Sequence, residues 1–77
     1  MDIDQARASF ARGELAEAIL EPADQGNGWM VVLREHAGSR AVLTDHSGLE
    51  KVYHTLEHAT DVAKSLGFAT VRVEEPI

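Results

Sequence analysis

The chain has 77 residues, of which 44% are hydrophobic; it has no cysteine and carries a formal net charge of −6. This size supports one small domain with a modest core, and the lack of cysteine excludes disulfides and thiolate metal sites as stabilisers. No apolar stretch is long enough to span a bilayer, and the seven scattered basic residues argue against binding to nucleic acid or to anionic membranes.

The first residues predict a helix over about 3–12. Asp2 in the N-cap position, with Gln5 three residues later, is a capping-box pattern. The apolar residues that follow recur on one helical face, and Gly13 can end the helix in a left-handed conformation.

Three strands are predicted in the middle of the chain. Residues 15–22 alternate imperfectly between apolar and acidic side chains, and the Gly-rich stretch 23–28 is typical of a turn. Residues 29–36 are the strongest strand signal because they are rich in β-branched and aromatic side chains. Ala37-Gly38 indicates a tight hairpin that leads to an antiparallel partner strand at 40–46.

The last third of the chain predicts a second helix between extended segments. Residues 49–54 have the alternation of an optional fifth strand, and Thr55 is a good N-cap for the helix that follows. Apolar residues spaced by three and four between 56 and 66 form one stripe, which Gly67 ends. Residues 69–76 then predict a closing strand.

These elements, in the order α-β-β-β-(β)-α-β, predict a single small α+β domain over residues 1–77. We expect two layers, an antiparallel sheet of four to five strands with two helices packed on one face.

The segment 51–68, "KVYHTLEHATDVAKSLGF", raises the question of a metal site. His54 and His58 are four residues apart with Glu57 between them, a spacing that partly matches the zinc motif H-E-x-x-H. However, the cap at Thr55 places His54 outside the helix, and a zinc site needs three or four converging ligands. Residues 45–46 would converge only if the following strand paired suitably. We therefore expect surface histidines at a helix N-terminus, with no metal and no cofactor.

Two further motifs are weak candidates for chemistry. The stretch "TDHSG" at 44–48 contains an acid, a histidine and a serine, but three neighbours in one turn cannot place the histidine between the other two. The stretch "GNG" at 26–28 precedes a strand and lacks the spacing of a phosphate loop. No catalytic residue, and no enzymatic activity, is expected.

A protein-binding surface remains as the functional candidate. Trp29 is either a buried anchor between sheet and helix or, if exposed with Tyr53, a binding hot spot. The polar start of the second helix would extend such a surface. The candidate partner-binding residues are Trp29, Tyr53, His54, Glu57, His58 and Asp61.

The combination of "AILEPADQGNGWMVVLREH", "LTDHSG", "KVYHTLEHATDVAKSLGF" and "VRVEEP" resembles a family of small accessory proteins of bacterial plasmids and integrative elements. Members are often labelled plasmid replication protein RepB or partition protein ParC. The resemblance runs from about Ala18 to Glu75 and implies a bacterial cytoplasmic protein of a mobile element with a role in plasmid maintenance. It carries over no catalytic or binding residue.

Two functions are consistent with the sequence, and a third, direct DNA binding, requires the scattered Arg and Lys residues to converge in a dimer. The first is a non-enzymatic protein-interaction module that assists plasmid replication, partition or stability through a protein partner. The alternative is an acidic inhibitor of a nucleic-acid-binding machine, such as an anti-CRISPR-type or DNA-mimic protein, because acids outnumber bases by thirteen to seven. The acidic start of the chain lacks an export signal, which favours the cytoplasm, and a homodimer would add buried area to a small core.

Overall fold

The computed structural model of the chain describes residues 1–23 and 27–74. Its elements are α1 (Ile3–Ala11), β1 (Leu15–Pro22), β2 (Trp29–Glu35), β3 (Arg40–Val42), α2 (Leu56–Ser65) and β4 (Arg72–Val73). The predicted α+β class is confirmed. The middle of the predicted turn at 23–28 and the end of the predicted closing strand lie outside the described residues.

Helix α1 begins with the predicted capping box. The Asp2 side chain accepts a hydrogen bond from the Gln5 backbone N–H at 2.8 Å, and the Gln5 side chain accepts one from the Asp2 N–H at 2.9 Å. These two bonds satisfy N–H groups that lack partners inside the helix. After the C-cap at Arg12, Gly13 takes a φ of +76°, as its position predicted.

Helix α2 begins at the predicted cap. The Thr55 hydroxyl accepts a hydrogen bond from the His58 N–H at 3.0 Å. Ala59 and Ala63 on the apolar stripe are fully buried, which brings the helix backbone close to the sheet. The helix ends at Leu66, and Gly67 follows with a φ of +124°.

Replacing Thr55 with alanine should lower the free energy of unfolding by about 1 kcal/mol, because the His58 N–H loses its acceptor. Urea denaturation of the purified variant measures this loss. Thr55→Ser should retain most of the stability, and Thr70→Ala, at an exposed position after α2, should change it little. Equal losses for Thr55→Ala and Thr55→Ser would mean that the cap contributes nothing.

The four strands form one mixed sheet in the order β3-β2-β1-β4. Neighbours β1 and β2 are antiparallel, with Ala18 opposite Leu33, and β2 and β3 are also antiparallel. By contrast β4 pairs parallel to β1, with Arg72 opposite Ile19. The sheet is therefore not wholly antiparallel as predicted, because α2 carries the chain back and β4 then runs in the same direction as β1 and β3.

The region between β3 and α2 is a hairpin rather than a fifth strand. The chain turns at residues 45–48, so β3 is shorter than the predicted 40–46 strand. The Asp45 N–H donates to the Leu49 carbonyl at 2.8 Å, and the Lys51 N–H donates to the Leu43 carbonyl at 3.0 Å. Residues 49–54 join the sheet only through isolated bridges, one of which pairs Trp29 with Tyr53.

The core lies between the sheet and the two helices. Strands β1 and β2 supply one fully buried face, where Leu20 is opposite Val31. Ala6 of α1 and Ala63 of α2 belong to the same buried cluster as these residues. Because both helices pack on residues of this one face, the other face of the sheet stays without a helical layer.

Candidate functional site

The two predicted aromatic anchors, Trp29 and Tyr53, lie side by side on neighbouring segments. The N–H of each donates to the carbonyl of the other at 2.8 Å. Tyr53 is 8% exposed and belongs to the core, whereas Trp29 is half-buried and packs against that core. Both residues therefore contribute mainly to packing, and Trp29 is closer to the buried interpretation than to the exposed one.

The predicted polar residues surround the start of α2. His54, Glu57, His58 and Asp61 are all exposed. The His58 ring contacts the Tyr53 ring edge-on, with centroids 5.0 Å apart. This contact connects the exposed helix start to a core residue, so the surface has a fixed position on the fold.

His54 and His58 do not form a metal site in the described part of the chain. The Thr55 cap separates them as predicted, and neither belongs to a group of three convergent ligand side chains. The group of three that the described residues do contain is Asp2, Asp4 and His46, with one ligand atom of each within 4.8 Å of the others. Sequence spacing gives no sign of this cluster, because Asp4 and the turn that begins at Asp45 are 41 positions apart.

The geometry of that cluster is that of a histidine bridging two carboxylates. The His46 Nδ1 lies 3.3 Å from Asp2 Oδ2, and its Nε2 lies 3.8 Å from Asp4 Oδ2. The carboxylates approach different ring nitrogens, so the closest approaches do not converge on one lone pair. The Gln5 N–H, followed by His46, holds the pKa of Asp2 below its usual value. The cluster thus links the 45–48 turn to the start of α1.

The "TDHSG" stretch is a turn, as predicted. Asp45 Oδ1 accepts hydrogen bonds from the Ser47 N–H at 2.9 Å, the Ser47 hydroxyl at 2.7 Å and the Leu49 N–H at 3.0 Å. These bonds, led by the Ser47 hydroxyl, lower the pKa of Asp45. The serine donates directly to the aspartate with no histidine between them, which is turn chemistry and not a catalytic relay.

Two exposed apolar side chains were missed by the sequence analysis. Leu49 is 68% exposed and Val52 is 47% exposed. The alternation of 49–54 predicted a short strand with Leu49, Lys51 and Tyr53 on one face. Leu49 instead lies directly after the 45–48 turn, where the chain leaves the sheet. We define the 49–61 surface as Leu49, Val52, His54, Glu57, His58 and Asp61.

The sheet face opposite the helices has a buried centre. Ile19 and Val32 face each other across β1 and β2 and are 0% and 4% exposed. They lie outside the helical core, on a face that also carries five long charged side chains. These are Glu17, Glu21, Arg34, Arg40 and Arg72.

Those long side chains form a network of ion pairs. Glu17 lies 3.3 Å from Arg34 and 3.0 Å from Arg72, and Arg34 first of all holds the pKa of Glu17 below its usual value. Three arginines therefore converge on one face, which sequence spacing did not predict. Each of them has a carboxylate partner, so the face is not a free basic patch. The remaining pairs are Arg40 with Glu21 and Arg72 with Glu74.

Acid should destabilise the fold. The folded-state pKa of Glu17, Asp2 and Asp45 lies below the unfolded value, so the unfolded chain binds more protons at low pH. Their contribution is complete above the ordinary values of 4.5 and 3.8 and is lost as the pH falls through the lowered ones. Urea midpoints at a series of pH values should fall below about pH 4.5, and Glu17→Gln should flatten this dependence. A midpoint that rises in acid would contradict the ion-pair geometry.

Neither helix in the described part of the chain has the length or apolar character needed to cross a membrane. Comparisons with protein-family models, with curated proteins and with solved structures find no match to this chain.

Proposed function

We propose that the chain is a non-enzymatic protein-interaction module that binds its partner through the 49–61 surface. The observation that carries this proposal is the exposure of Leu49 and Val52 beside the polar start of α2. Apolar side chains with a polar rim are typical of protein interfaces, in which a few central residues supply most of the binding energy.

The backbone of residues 52–53 is held against the start of β2, which supports binding with little rearrangement. A Cβ atom on Gly28 would lie 2.4 Å from Val52 Cγ1 and 3.2 Å from the Tyr53 carbonyl oxygen, so the segment lies close against the start of β2. The hydrogen bonds between Trp29 and Tyr53 hold the same segment to the start of β2. A surface ordered before binding loses less conformational entropy on association.

The chemistry of the described residues also supports a binding role. Every arginine has a carboxylate partner, and the Asp, His and Ser of the 44–48 stretch form a turn and not a catalytic relay. The resemblance to plasmid and integrative-element proteins makes plasmid replication, partition or stability in a bacterial cytoplasm the proposed setting. A second copy of the chain is one partner that such a surface could bind.

An acidic inhibitor of a nucleic-acid-binding machine is the second candidate. Glu57 and Asp61 lie one turn apart on α2, and Glu50 precedes them. None of the three forms an ion pair with the described residues, although the arginines all do. A row of unpaired carboxylates on one side could occupy a basic site, and such binding would be strongly weakened by salt.

Quantitative affinity capture from a bacterial lysate with three baits separates the two candidates. The baits are the wild type, Leu49→Ser/Val52→Ser and Glu57→Gln/Asp61→Asn, each checked for an unchanged urea midpoint. We expect the apolar pair of substitutions to abolish capture of a specific partner and the acidic pair to retain most of it. Loss only with the acidic pair would favour the inhibitor, and turnover of a substrate without any captured partner would overturn both.

A further inference from the structure

A cavity of about 200 Å³ lies between the start of α1, the end of β3, the hairpin and α2. Ile3, Leu43 and Val62 give it apolar walls. This is smaller than the roughly 300–1,000 Å³ of pockets for drug-sized ligands, so the cavity suits a smaller molecule. Small-molecule sites commonly combine such apolar walls with a few polar groups.

Three residues that line the cavity carry polar groups that could form a further ion pair or hydrogen bond. The Lys51 ammonium forms no ion pair within the described residues and lies 5.9 Å from the centre of the Tyr53 ring. The Tyr53 hydroxyl has no hydrogen-bond partner among the described residues, and its oxygen is not sealed from solvent although most of the side chain is buried. At Asp45, the three internal hydrogen bonds all go to Oδ1, which leaves Oδ2 available.

The combination of charges selects the class of ligand. Lys51 and Asp45 line the same small cavity but are not in ion-pair contact with each other. A simple anion would be attracted by Lys51 and repelled by Asp45. A simple cation would be attracted by Asp45 and repelled by Lys51. A zwitterion can satisfy both groups at once. His46 also lines the cavity, but it is already engaged by Asp2 and Asp4.

We propose that this cavity binds a free amino acid with an apolar side chain. The side chain occupies the space between Ile3, Leu43 and Val62. The carboxylate accepts hydrogen bonds from the Lys51 ammonium and the Tyr53 hydroxyl, and the α-ammonium donates to Asp45 Oδ2. This proposal is independent of protein binding at the 49–61 surface.

Chemical-shift titrations of the ¹⁵N-labelled protein with three ligands test the proposal. Leucine has both charges, N-acetyl-leucine keeps only the carboxylate, and leucinamide keeps only the ammonium. We expect leucine at millimolar concentration to shift the amides of residues 43–53 and to bind roughly fivefold more tightly than either analogue. Equal or tighter binding of N-acetyl-leucine, or no shift with leucine, would overturn the proposal.

Variants of Lys51 and Lys64, neither of which forms an ion pair with the described residues, provide the matched control. Lys51→Gln should weaken leucine binding by roughly fivefold and should leave the weaker binding of leucinamide unchanged, since only the carboxylate contact is removed. Lys64→Gln removes the same charge from α2, away from the cavity lining, and should alter neither ligand. Equal effects of the two substitutions would show that leucine responds only to overall charge, which contradicts the site.

Discussion

Replacing Leu33 with alanine is expected to destabilise the fold by about 2–5 kcal/mol, because the change leaves a cavity at the centre of the sheet. Leu33 is 0% exposed and lies opposite Ala18 on the face that packs against the helices. Ala18, directly opposite, is too small to fill the space. A domain of this size has a total stability on the order of 5–10 kcal/mol, so a large part of it would be lost.

Urea denaturation followed by circular dichroism measures this effect, and Leu49→Ala is the matched control. It removes the same atoms from a side chain that is 68% exposed and should change the stability by less than about 0.5 kcal/mol. Equal losses of unfolding free energy for the two substitutions would contradict the assignment of Leu33 to the core and of Leu49 to an exposed surface.

Replacing Gly67 with alanine should cost about 2–4 kcal/mol for two separate reasons. Its φ of +124° is a backbone conformation that side chains rarely allow. In addition, a Cβ at this position would lie 2.4 Å from Phe10 Cε1. The Phe10 ring would have to move, which would disturb its edge-on contact with Phe68, where the centroids are 4.8 Å apart.

Gly38→Ala separates these two reasons. Gly38 has a φ of +105°, but a Cβ there would meet no atom within 4 Å, so only the backbone strain of roughly 1–2 kcal/mol applies. In a Phe10→Ala background, Gly67→Ala should cost about as much as Gly38→Ala. An undiminished cost in that background would show that the contact with Phe10 is unimportant.

Local signals predicted the helices well because each is defined by groups close in sequence. The capping box at Asp2 and Gln5 and the cap at Thr55 depend on hydrogen bonds that span three residues. The glycine stops at Gly13 and Gly67 likewise follow from backbone conformation alone. The cap at Thr55, which places His54 outside α2, is one of these local features.

Features that depend on pairing between distant segments were predicted less well. The parallel pairing of Arg72 with Ile19 joins residues 53 positions apart, and nothing in either strand indicates its direction. The ion pairs of Glu17 with Arg34 and Arg72, and the contact of His46 with Asp2, also join segments that are distant in sequence. Alternation in 49–54 predicted a strand. The hairpin that begins at the 45–48 turn instead joins these residues to the sheet only through isolated bridges.

The candidate site was predicted only in part for the same reason. The sequence indicated the exposed polar start of α2. Glu57 and Asp61 lie on the helix face opposite the apolar stripe, and His54 precedes the helix. The exposure of Leu49 and Val52 could not be read from their residue types, which are equally at home in a core. Their exposure follows from the hairpin, whose residues 49–54 join the sheet only through isolated bridges.

The affinity of the captured partner for the wild-type chain at low and high ionic strength tests the proposed function most directly. We expect binding that depends on Leu49 and Val52 and changes little with salt, because apolar contacts are not screened. The Leu49→Ser/Val52→Ser variant should bind weakly at every salt concentration. Binding by that variant equal to the wild type, or wild-type binding that is lost at high salt, would contradict a protein-interaction module that works through the 49–61 surface.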